Sequence, residues 1–226
     1  MILKAPRHVA IILDGNRRYA RKLGMQPWKG HEVGLGKLEH LFNWCMELGI
    51  KEITLYCFST ENFSRNKKEV EYLFGLFWKK FKEVQEGKGM FKDKVKVNVI
   101  GRIQMFPQKM QKVMEDSVKK TKNNKKLLVN FALAYGGRQE IVDAVNKALK
   151  NKSKIDEDAI SKNLYMKSEP DIVIRPGGET RTSNFLMWQS AYSEWFFVKK
   201  LWPDFTKQDL VNILKEYNKR ERRFGK

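Results

Sequence analysis

The chain has 226 residues and a mass of 26.7 kDa, and 42% of its residues are hydrophobic, which predicts one domain, residues 1–226, and excludes wholesale disorder. No apolar run reaches the roughly 18 residues needed to span a bilayer, and the first residues lack a signal or transit pattern, so a cytoplasmic protein is expected. Lys and Arg number 45 against 26 acidic residues, a charge of +19, which implies an anionic partner.

Short apolar runs alternate with longer helical patterns along the chain. Six runs read as strands: HVAIIL (8–13), ITLYCFS (53–59), VKVNVIG (95–101), LLVNFALAY (127–135), DIVIR (171–175) and WFFV (195–198). Helical periodicity covers 31–48, 67–84, 107–122, 138–150 and 206–223. This alternation predicts an α/β fold with a central, mostly parallel sheet of about six strands flanked by helices. Ligands of such folds bind at the carboxyl ends of the strands.

The first predicted strand is followed by DGNRR at 14–18, and a helical pattern begins at Tyr19. Glycine permits a tight turn, and amides at a helix start point toward an anion. The two arginines add charge-assisted donors for phosphate oxygens. Asp14, a carboxylate among cations, suits Mg²⁺ bridging to a diphosphate. Taken alone, the motif also fits a capping aspartate in an ordinary strand-to-helix turn.

The second predicted strand is followed by STENFSR at 59–65, a polar cluster with one carboxylate and one guanidinium. Ser59 or Ser64 could merely cap the next helix. Arg65 is harder to interpret as a cap.

Residues 79–126 carry 15 Lys and Arg against five carboxylates, a local charge of +10. Two interpretations stay open: a solvated, Lys-rich face, or a surface that makes peripheral contact with an anionic membrane. The stretch lacks the exposed aromatic pattern of nucleic-acid binders, so no nucleic-acid partner is predicted.

The fifth predicted strand is followed by RPGGETRTSN at 175–184, in which two arginines flank a Gly-Gly turn and two hydroxyls follow. Such a loop can form a second anion cradle, and Glu194 lies eleven residues after Ser183. Three strand-end clusters of this kind indicate a site for two polyphosphates and a metal. The sequence contains no Walker-type, GxGxxG or GxSxG motif and no zinc-ligand spacing.

Five segments resemble, in this order, the conserved blocks of the cis-prenyltransferases, also called isoprenyl or undecaprenyl diphosphate synthases: HVAIILDGNRRYA, GHEVG, YCFSTENFSR, ALAYGGRQEI and DIVIRPGGETRTSNFLMWQSAYSEWFF. The resemblance runs from His8 to the C-terminus. The DGNRRYA form is more similar to archaeal and eukaryotic members than to bacterial ones.

The resemblance implies a Mg²⁺-dependent prenyl transferase that condenses isopentenyl diphosphate sequentially, head to tail, with an allylic diphosphate, forming cis double bonds. It implies a homodimer with a hydrophobic product tunnel. The archaeal likeness favours geranylgeranyl or farnesyl diphosphate as primer and a long product close to undecaprenyl diphosphate, the precursor of a glycosyl carrier lipid.

The resemblance also implies roles for individual residues. Asp14 and Asn62 match catalytic positions, and Asp14 and Glu194 match the metal carboxylates. The allylic diphosphate loop is matched by Gly15, Asn16, Arg17, Arg18, Tyr19 and His31. The isopentenyl diphosphate pocket is matched by Arg175, Arg181, Thr182 and Ser183, and the loop between the two sites by Ser59, Thr60, Glu61, Phe63 and Arg65. Arg223 and Gly225 match a terminal RxG segment that, in relatives, reaches the partner's diphosphate site.

Several alternatives stay open beside this interpretation. The helical face formed by Val70, Leu73, Phe74, Phe77, Phe81 and Val84 fits ordinary core on sequence alone and a tunnel wall by resemblance. The same fold could transfer a prenyl group to an acceptor other than isopentenyl diphosphate, or make a short product. A non-catalytic partner subunit is disfavoured by the intact DGNRR loop. An amide is barely basic, so the departing diphosphate is expected to accept the proton while Asn62 orients it.

Overall fold

Six strands form one sheet in the order β3-β4-β2-β1-β5-β6 in the computed structural model, which describes residues 4–152 and 154–220. The strands are β1 (His8–Ile12), β2 (Glu52–Ser59), β3 (Val95–Ile100), β4 (Leu127–Tyr135), β5 (Ile172–Pro176) and β6 (Glu194–Val198). Every neighbouring pair is parallel. The predicted fold class is confirmed, and each strand end lies within one residue of its predicted position.

Eight helices surround the sheet in the described part of the chain. They are α1 (Asn16–Lys22), α2 (Gly30–Gly36), α3 (Leu38–Glu47), α4 (Lys67–Gln85), α5 (Gln108–Thr121), α6 (Gly137–Lys150), α7 (Glu157–Asn163) and α8 (Lys207–Tyr217). Short 3₁₀ turns include Thr60–Ser64 and Trp202–Asp204. None of these helices is long and apolar enough to cross a membrane.

Two helix predictions need correction, and one helix was missed. The single helix predicted over 31–48 is divided at Lys37, which keeps helical dihedrals (φ −72°, ψ −19°). The helix predicted over 206–223 ends at Tyr217, because the Asn218 side chain donates to the Leu214 carbonyl at 2.7 Å and accepts from the Lys4 amide at 2.9 Å. Helix α7 was not predicted; its N-cap, Asp156, accepts from the Ala159 amide.

The two faces of the sheet are both covered. Alternate side chains of β1 point to opposite faces, so Val9 and Ile11 join the larger core while Ala10 and Ile12 join the smaller one. Helices α3, α4, α5 and α8 pack on the larger core, and both cysteines are free thiols.

The strand order reverses direction beside β1, which pairs with β2 on one side and with β5 on the other. In open parallel sheets a crevice forms at such a point, outside the carboxyl ends of the strands. Asp14 follows β1 and Arg175 lies near the end of β5, so the fold brings both side chains to this crevice.

Candidate active site

One cavity of about 530 Å³ opens at the carboxyl ends of β1, β2 and β5. Its polar lining consists of Asp14, Asn16, His31, Ser59, Glu61, Asn62, Arg65, Arg175, Arg181, Ser183 and Asn184. The three clusters that follow strands in the sequence therefore converge on one cavity.

Asp14 binds two arginines from different directions. Its Oδ2 accepts from Arg175 Nη2 at 2.9 Å, and its Oδ1 accepts from Arg18 Nη2 at 3.1 Å. Arg175 Nη1 donates to Ser183 Oγ at 2.7 Å, and Arg18 Nη1 donates to the Gly177 carbonyl at 2.6 Å. One carboxylate thus organises the loops after β1 and β5.

The turn after Asp14 requires glycine. Gly15 has φ +103°, a conformation that glycine adopts without the cost of a Cβ, and a Cβ there would lie 2.9 Å from the Leu201 side chain. Gly15 is also the N-cap of α1, and no side chain caps that helix. Asp14 is therefore not a capping aspartate, and the alternative interpretation of the DGNRR motif is not supported.

Glu69, in the first turn of α4, is a buried carboxylate beside two guanidinium groups and one imidazole. Its Oε1 lies 3.2 Å from Arg65 Nη1, 3.6 Å from Arg17 Nε and 3.9 Å from His31 Nε2. Its side chain is only 4% exposed. A buried carboxylate needs such partners, and in return it fixes the three side chains in place.

A second cavity of about 310 Å³ lies beside the first and is strongly cationic. Its charged lining consists of Arg17, Arg18, Arg21 and Arg65 with one carboxylate, Asp14. His31 also lines it, and burial, followed by the charges of Arg65 and Arg17, lowers the pKa of His31 to about 4. The imidazole is therefore neutral at pH 7, and the cavity suits a multiply charged anion.

The 3₁₀ turn at Thr60–Ser64 fixes the Asn62 side chain. Asn62 Oδ1 accepts from the Ser59 amide at 3.1 Å, and the Ser59 side chain accepts from the Asn62 amide. Ser64 Oγ donates to the Glu61 carbonyl at 2.7 Å. Ser59 therefore caps this turn only. The helix that follows, α4, is capped by Asn66, whose side chain accepts from the Lys68 amide at 2.9 Å, so neither Ser59 nor Ser64 caps it. Because the amide oxygen is engaged, Asn62 offers its Nδ2 donor to the cavity.

Several buried polar atoms at the site have no hydrogen-bond partner. Among the described residues seven such side-chain atoms occur, and five belong to the strand-end clusters and His31: Asn16 Oδ1, Arg17 Nε, His31 Nε2, Thr60 Oγ1 and Arg175 Nε. Buried polar groups are normally satisfied. Their concentration here indicates that a polar ligand completes the site.

An apolar recess continues from the main cavity beneath α4. Leu35, Cys57 and Phe77 line both spaces. The recess is further lined by Phe81, Val84, Phe131, Leu133 and one charged residue, Lys80. Part of the Phe-rich face of α4 therefore borders a cavity, whereas Val70 and Phe74 pack against the core.

Comparison with known proteins gives concordant results. The prenyltransferase family model for undecaprenyl diphosphate synthases matches residues 12–225. The tritrans,polycis-undecaprenyl-diphosphate synthase (geranylgeranyl-diphosphate specific) of Thermococcus kodakarensis is 50% identical over 98% of this chain and 87% of its own length. The protein of the same name from Methanopyrus kandleri is 44% identical over 99% of this chain and 86% of its own length. The chain belongs to the cis-prenyltransferase family.

Solved structures show the same fold. The lavandulyl diphosphate synthase of Lavandula x intermedia, crystallised with dimethylallyl diphosphate, has a TM-score of 0.90, 33% identity, and coverage of 100% of this chain and 99% of its own. A structure from Campylobacter jejuni described as a probable undecaprenyl diphosphate synthase has a TM-score of 0.85 and 33% identity, with coverage of 99% of this chain and 100% of its own. The archaeal likeness of the DGNRRYA block agrees with the archaeal relatives.

In this cis-prenyltransferase, Glu194 lies away from Asp14. It begins β6 and pairs with Ile172 at the start of β5, at the amino edge of the sheet. Its carboxylate accepts from Arg220 Nη1 at 2.5 Å. With about 3.3 Å per residue in parallel strands, the length of β5 separates it from the Asp14 crevice. The two carboxylates assigned to metal by resemblance therefore do not meet within one chain.

Other residues named from the resemblance lie beside the site rather than in it. Tyr19, Thr60, Phe63 and Thr182 are not among the residues that line the two cavities. Phe63 packs in an aromatic cluster, 4.9 Å from the Phe58 ring centroid. Arg223 and Gly225 lie outside the described residues.

Several lining or supporting residues were not predicted as site residues from the sequence, among them Arg21, Asn184, Glu69, Tyr56 and Trp202. Glu69 lies three residues after Asn66 in an Asn-x-x-Glu pattern, but this pattern predicts only the start of a helix. Tyr56 lies in the apolar run predicted as the second strand, and Trp202 lies between the last predicted strand and the last predicted helix, yet both line the main cavity. Trp202 supports it further, since its Nε1 donates to the Gly34 carbonyl at 2.9 Å.

Proposed function

We propose that this cis-prenyltransferase condenses isopentenyl diphosphate repeatedly onto an allylic diphosphate and releases a long cis-polyprenyl diphosphate. The archaeal relatives are named as specific for geranylgeranyl diphosphate and as undecaprenyl diphosphate synthases, which makes geranylgeranyl diphosphate the preferred primer and undecaprenyl diphosphate the proposed product.

One observation carries this proposal: two cationic clusters share a carboxylate at the mouth of an apolar recess. Arg17, Arg18, Arg21 and Arg65 form one cluster, and Arg175 and Arg181 belong to the other. Two diphosphates are the ligands that the two clusters fit. The apolar recess has a free volume of only about 10 Å³, so a hydrocarbon tail that enters it has to displace the side chains of its walls. Each charge-assisted hydrogen bond contributes roughly 1.5–3 kcal/mol, so each cluster can hold a highly charged group.

The residues present fit a Mg²⁺ ion held largely by substrate. Mg²⁺ commonly takes one or two protein carboxylates together with phosphate oxygens and water. The described residues contain no cluster of three metal-ligating side chains, whereas Asp14 lies between both cationic clusters. We propose Asp14 as the Mg²⁺ ligand from this chain. When bound, the ion supplies Lewis-acid stabilisation of the charge on a departing diphosphate.

The proposed roles of the side chains follow from their placement. Arg17, Arg18 and the amides after Gly15 hold the allylic diphosphate and stabilise the charge that develops as its carbon–oxygen bond breaks. Arg175, Arg181 and Ser183 hold isopentenyl diphosphate so that its alkene faces the allylic carbon.

The proton released after carbon–carbon bond formation needs an acceptor. The Asn62 amide oxygen already accepts from Ser59, and its free Nδ2 is a donor. We therefore propose that the departing diphosphate accepts the proton and that Asn62 orients it.

We further propose that the enzyme acts as a homodimer. Glu194, which lies far from Asp14 in its own chain, is on β6, the last strand of the sheet order. Large apolar side chains are exposed on β6 and α6: Phe197, Val142 and Leu149. We propose that a second copy buries exposed apolar side chains such as Phe197 on β6 and that Glu194, on the same strand, acts in this contact.

The first experiment incubates the purified protein with labelled isopentenyl diphosphate, Mg²⁺ and, separately, geranyl, farnesyl and geranylgeranyl diphosphate. Butanol extracts are sized by chromatography. A ladder that ends at one length, strongest with geranylgeranyl diphosphate, supports the proposal and gives the product length. Absence of extractable product with every primer, from folded protein, would refute it.

Two alternatives have their own readouts. A short product that forms from dimethylallyl diphosphate alone would indicate an acceptor other than isopentenyl diphosphate. A gel shift with nucleic acid that weakens steeply with salt would indicate phosphate-driven nucleic-acid binding. Stimulation of turnover by anionic vesicles would support the peripheral membrane contact proposed for the basic residues 79–126.

A further inference from the structure

The loop after β5 has an unusual backbone. Ser183 (φ +51°), Asn184 (φ +61°) and Leu186 (φ +45°) all lie in the left-handed region. Residues with a Cβ adopt this region at a cost, and such conformations persist only where the surroundings hold them. The contacts of Asn184 explain how this loop is held.

Asn184 caps helix α6 from a different part of the chain. Its carbonyl accepts from the Gly137 amide at 2.7 Å, and its Oδ1 accepts from the Arg138 amide at 2.9 Å. Its Nδ2 donates to Gln139 Oε1 at 3.1 Å. The first amides of a helix have no partner within the helix, and the N-cap of α6, Gly136, has no side chain to supply one.

The glycines before α6 make this approach possible. A Cβ on Gly136 would lie 2.8 Å from Asn184 Nδ2, and a Cβ on Gly137 would lie 2.7 Å from the Met187 side chain. The start of α6 and the loop after β5 therefore fit closely against one another.

Asn184 also contacts the 3₁₀ turn that follows β2. Its Nδ2 lies 3.4 Å from Glu61 Oε1. Burial raises the pKa of Glu61, but hydrogen bonds from its own backbone and from Ser59, Asn184 and Thr60 outweigh burial, so the pKa is lowered overall. Glu61 is therefore an ionised acceptor for Asn184, and it directly precedes Asn62.

We propose that Asn184 is a positioning residue that couples the isopentenyl diphosphate loop to the Glu61–Asn62 turn. It holds Ser183 in place by fixing the next residue to α6, and it holds the turn through Glu61. The inference rests on the proposed function. It assigns Asn184 a larger effect on the isopentenyl diphosphate side, because Asn184 adjoins Ser183, whereas within the described residues none of its own hydrogen bonds goes to an arginine of the second cavity.

Asn184→Gly is the sharpest variant, because glycine keeps the left-handed backbone while every side-chain contact is lost. We expect the KM for isopentenyl diphosphate to rise about tenfold or more, since misplacement of a binding group by about 1 Å can cost up to about 100-fold. The KM for geranylgeranyl diphosphate should change less than about twofold. Lys152→Gly is the matched control, since Lys152 is also left-handed (φ +53°) and is exposed.

Asn184→Asp separates the two contacts. It keeps an oxygen that accepts from the Arg138 amide, but it replaces the donor to Glu61 by a second carboxylate. The two negative charges repel each other, so the contact with Glu61 is lost. Retained thermal stability with a raised KM for isopentenyl diphosphate is expected. In a double-mutant cycle of Asn184→Gly with Glu61→Gln, the double variant should raise the KM for isopentenyl diphosphate by less than the two single effects combined, because both substitutions remove the same contact.

Calorimetric titration with isopentenyl diphosphate alone gives a readout independent of turnover. The inference is supported if Asn184→Gly binds isopentenyl diphosphate about tenfold more weakly than wild type while Lys152→Gly binds it as wild type does. Unchanged KM and binding in folded Asn184→Gly, or an equal rise in both KM values, overturns it while leaving the proposed function intact. Failure of the wild type to bind and elongate isopentenyl diphosphate overturns both.

Discussion

Asp14 is the counter-ion of Arg175. Their side chains meet at 2.9 Å, and the guanidinium is 4% exposed whereas the carboxylate is 26% exposed. The exposed carboxylate can therefore face a ligand on one side while it neutralises a buried cation on the other. Because Arg18 approaches its second oxygen, loss of Asp14 removes the common partner of both cationic loops.

Replacing Asp14 should affect both turnover and stability. For Asp14→Ala we expect kcat to fall by about 1,000-fold or more, as for removal of a preorganised electrostatic group. We also expect a loss of about 1–3 kcal/mol in the free energy of unfolding, because Arg175 remains buried without its counter-ion. Labelled isopentenyl diphosphate assays and urea unfolding measure the two effects.

Asp158→Ala is the control for this variant, since Asp158 is 72% exposed on α7 and, among the described residues, forms its ion pair with Lys162. Exposed pairs contribute little to stability, so this control should behave like wild type. Turnover of Asp14→Ala close to that of the control would contradict the role assigned to Asp14.

Glu69 should matter for the allylic substrate although it faces cations rather than the open cavity. Glu69→Gln keeps the shape but removes the charge that holds Arg17 and Arg65. We expect the KM for the allylic diphosphate to rise about tenfold, corresponding to about 1.4 kcal/mol, with a smaller change for isopentenyl diphosphate. Steady-state kinetics test this, with Glu71→Gln as control because Glu71 is 63% exposed on the same helix. Equal KM values in the two variants would refute it.

The strands were predictable because their apolar runs are continuous and end at polar or glycine-rich segments. The inner strands β1, β2, β4 and β5 are buried on both faces over nearly their whole length, so the sequence signal and the packing coincide there. The edge strands β3 and β6 are partly exposed. Helix α7 was missed because it is short and contributes no fully buried residue. Its start depends on one capping aspartate, Asp156.

The site was predictable where one loop carries its own chemistry, as DGNRR and RPGGETRTSN do. It was not predictable where a contact joins distant residues. Glu69 meets Arg17 and His31 only because α4 packs beside the loop after β1, and no local pattern encodes that packing. Likewise, Glu194 lies at the opposite edge of the sheet because it begins its strand, whereas Asp14 follows one.

The stability of the protein should depend on pH through His31. Its pKa is about 4 in the folded protein, because burial and then Arg65 and Arg17 disfavour the proton; in the unfolded chain it is near 6.5. At pH values between these two pKa values, His31 is protonated in the unfolded chain and neutral in the folded protein. Stability is therefore lost as pH falls from about 6.5 to 4, and His31 has no effect above this range.

The His31→Gln variant should lose this part of the pH dependence. Urea unfolding at several pH values between 6.5 and 4.5 gives the free energy of unfolding as a function of pH. Its slope against pH should be smaller in the variant than in wild type by up to about 1.4 kcal/mol per pH unit. Identical slopes in the two proteins would show that the proton is not excluded from His31 by folding.

The apolar recess should limit product length at Lys80. Its ammonium donates to Glu39 and Glu83, each at 2.8 Å, and lies 5.7 Å from the Phe91 ring centroid. Lys80 is eleven residues beyond Glu69, about 16 Å along the helix. A growing tail gains about 0.8 kcal/mol for each methylene that it buries against an apolar wall. It gains no such energy against the Lys80 ammonium, which stays charged and bonded to Glu39 and Glu83.

We therefore expect Lys80→Met to give longer products, because it retains the apolar stem and removes the charge. Lys82→Met is the control, since Lys82 lies over the Trp78 ring, 5.5 Å from its centroid, and does not line the recess. Mass spectrometry of the products made from geranylgeranyl diphosphate measures the chain length. If both variants stop at the wild-type length, the limit must lie with the apolar side chains around Lys80, because the charge of Lys80 would then have no part in termination.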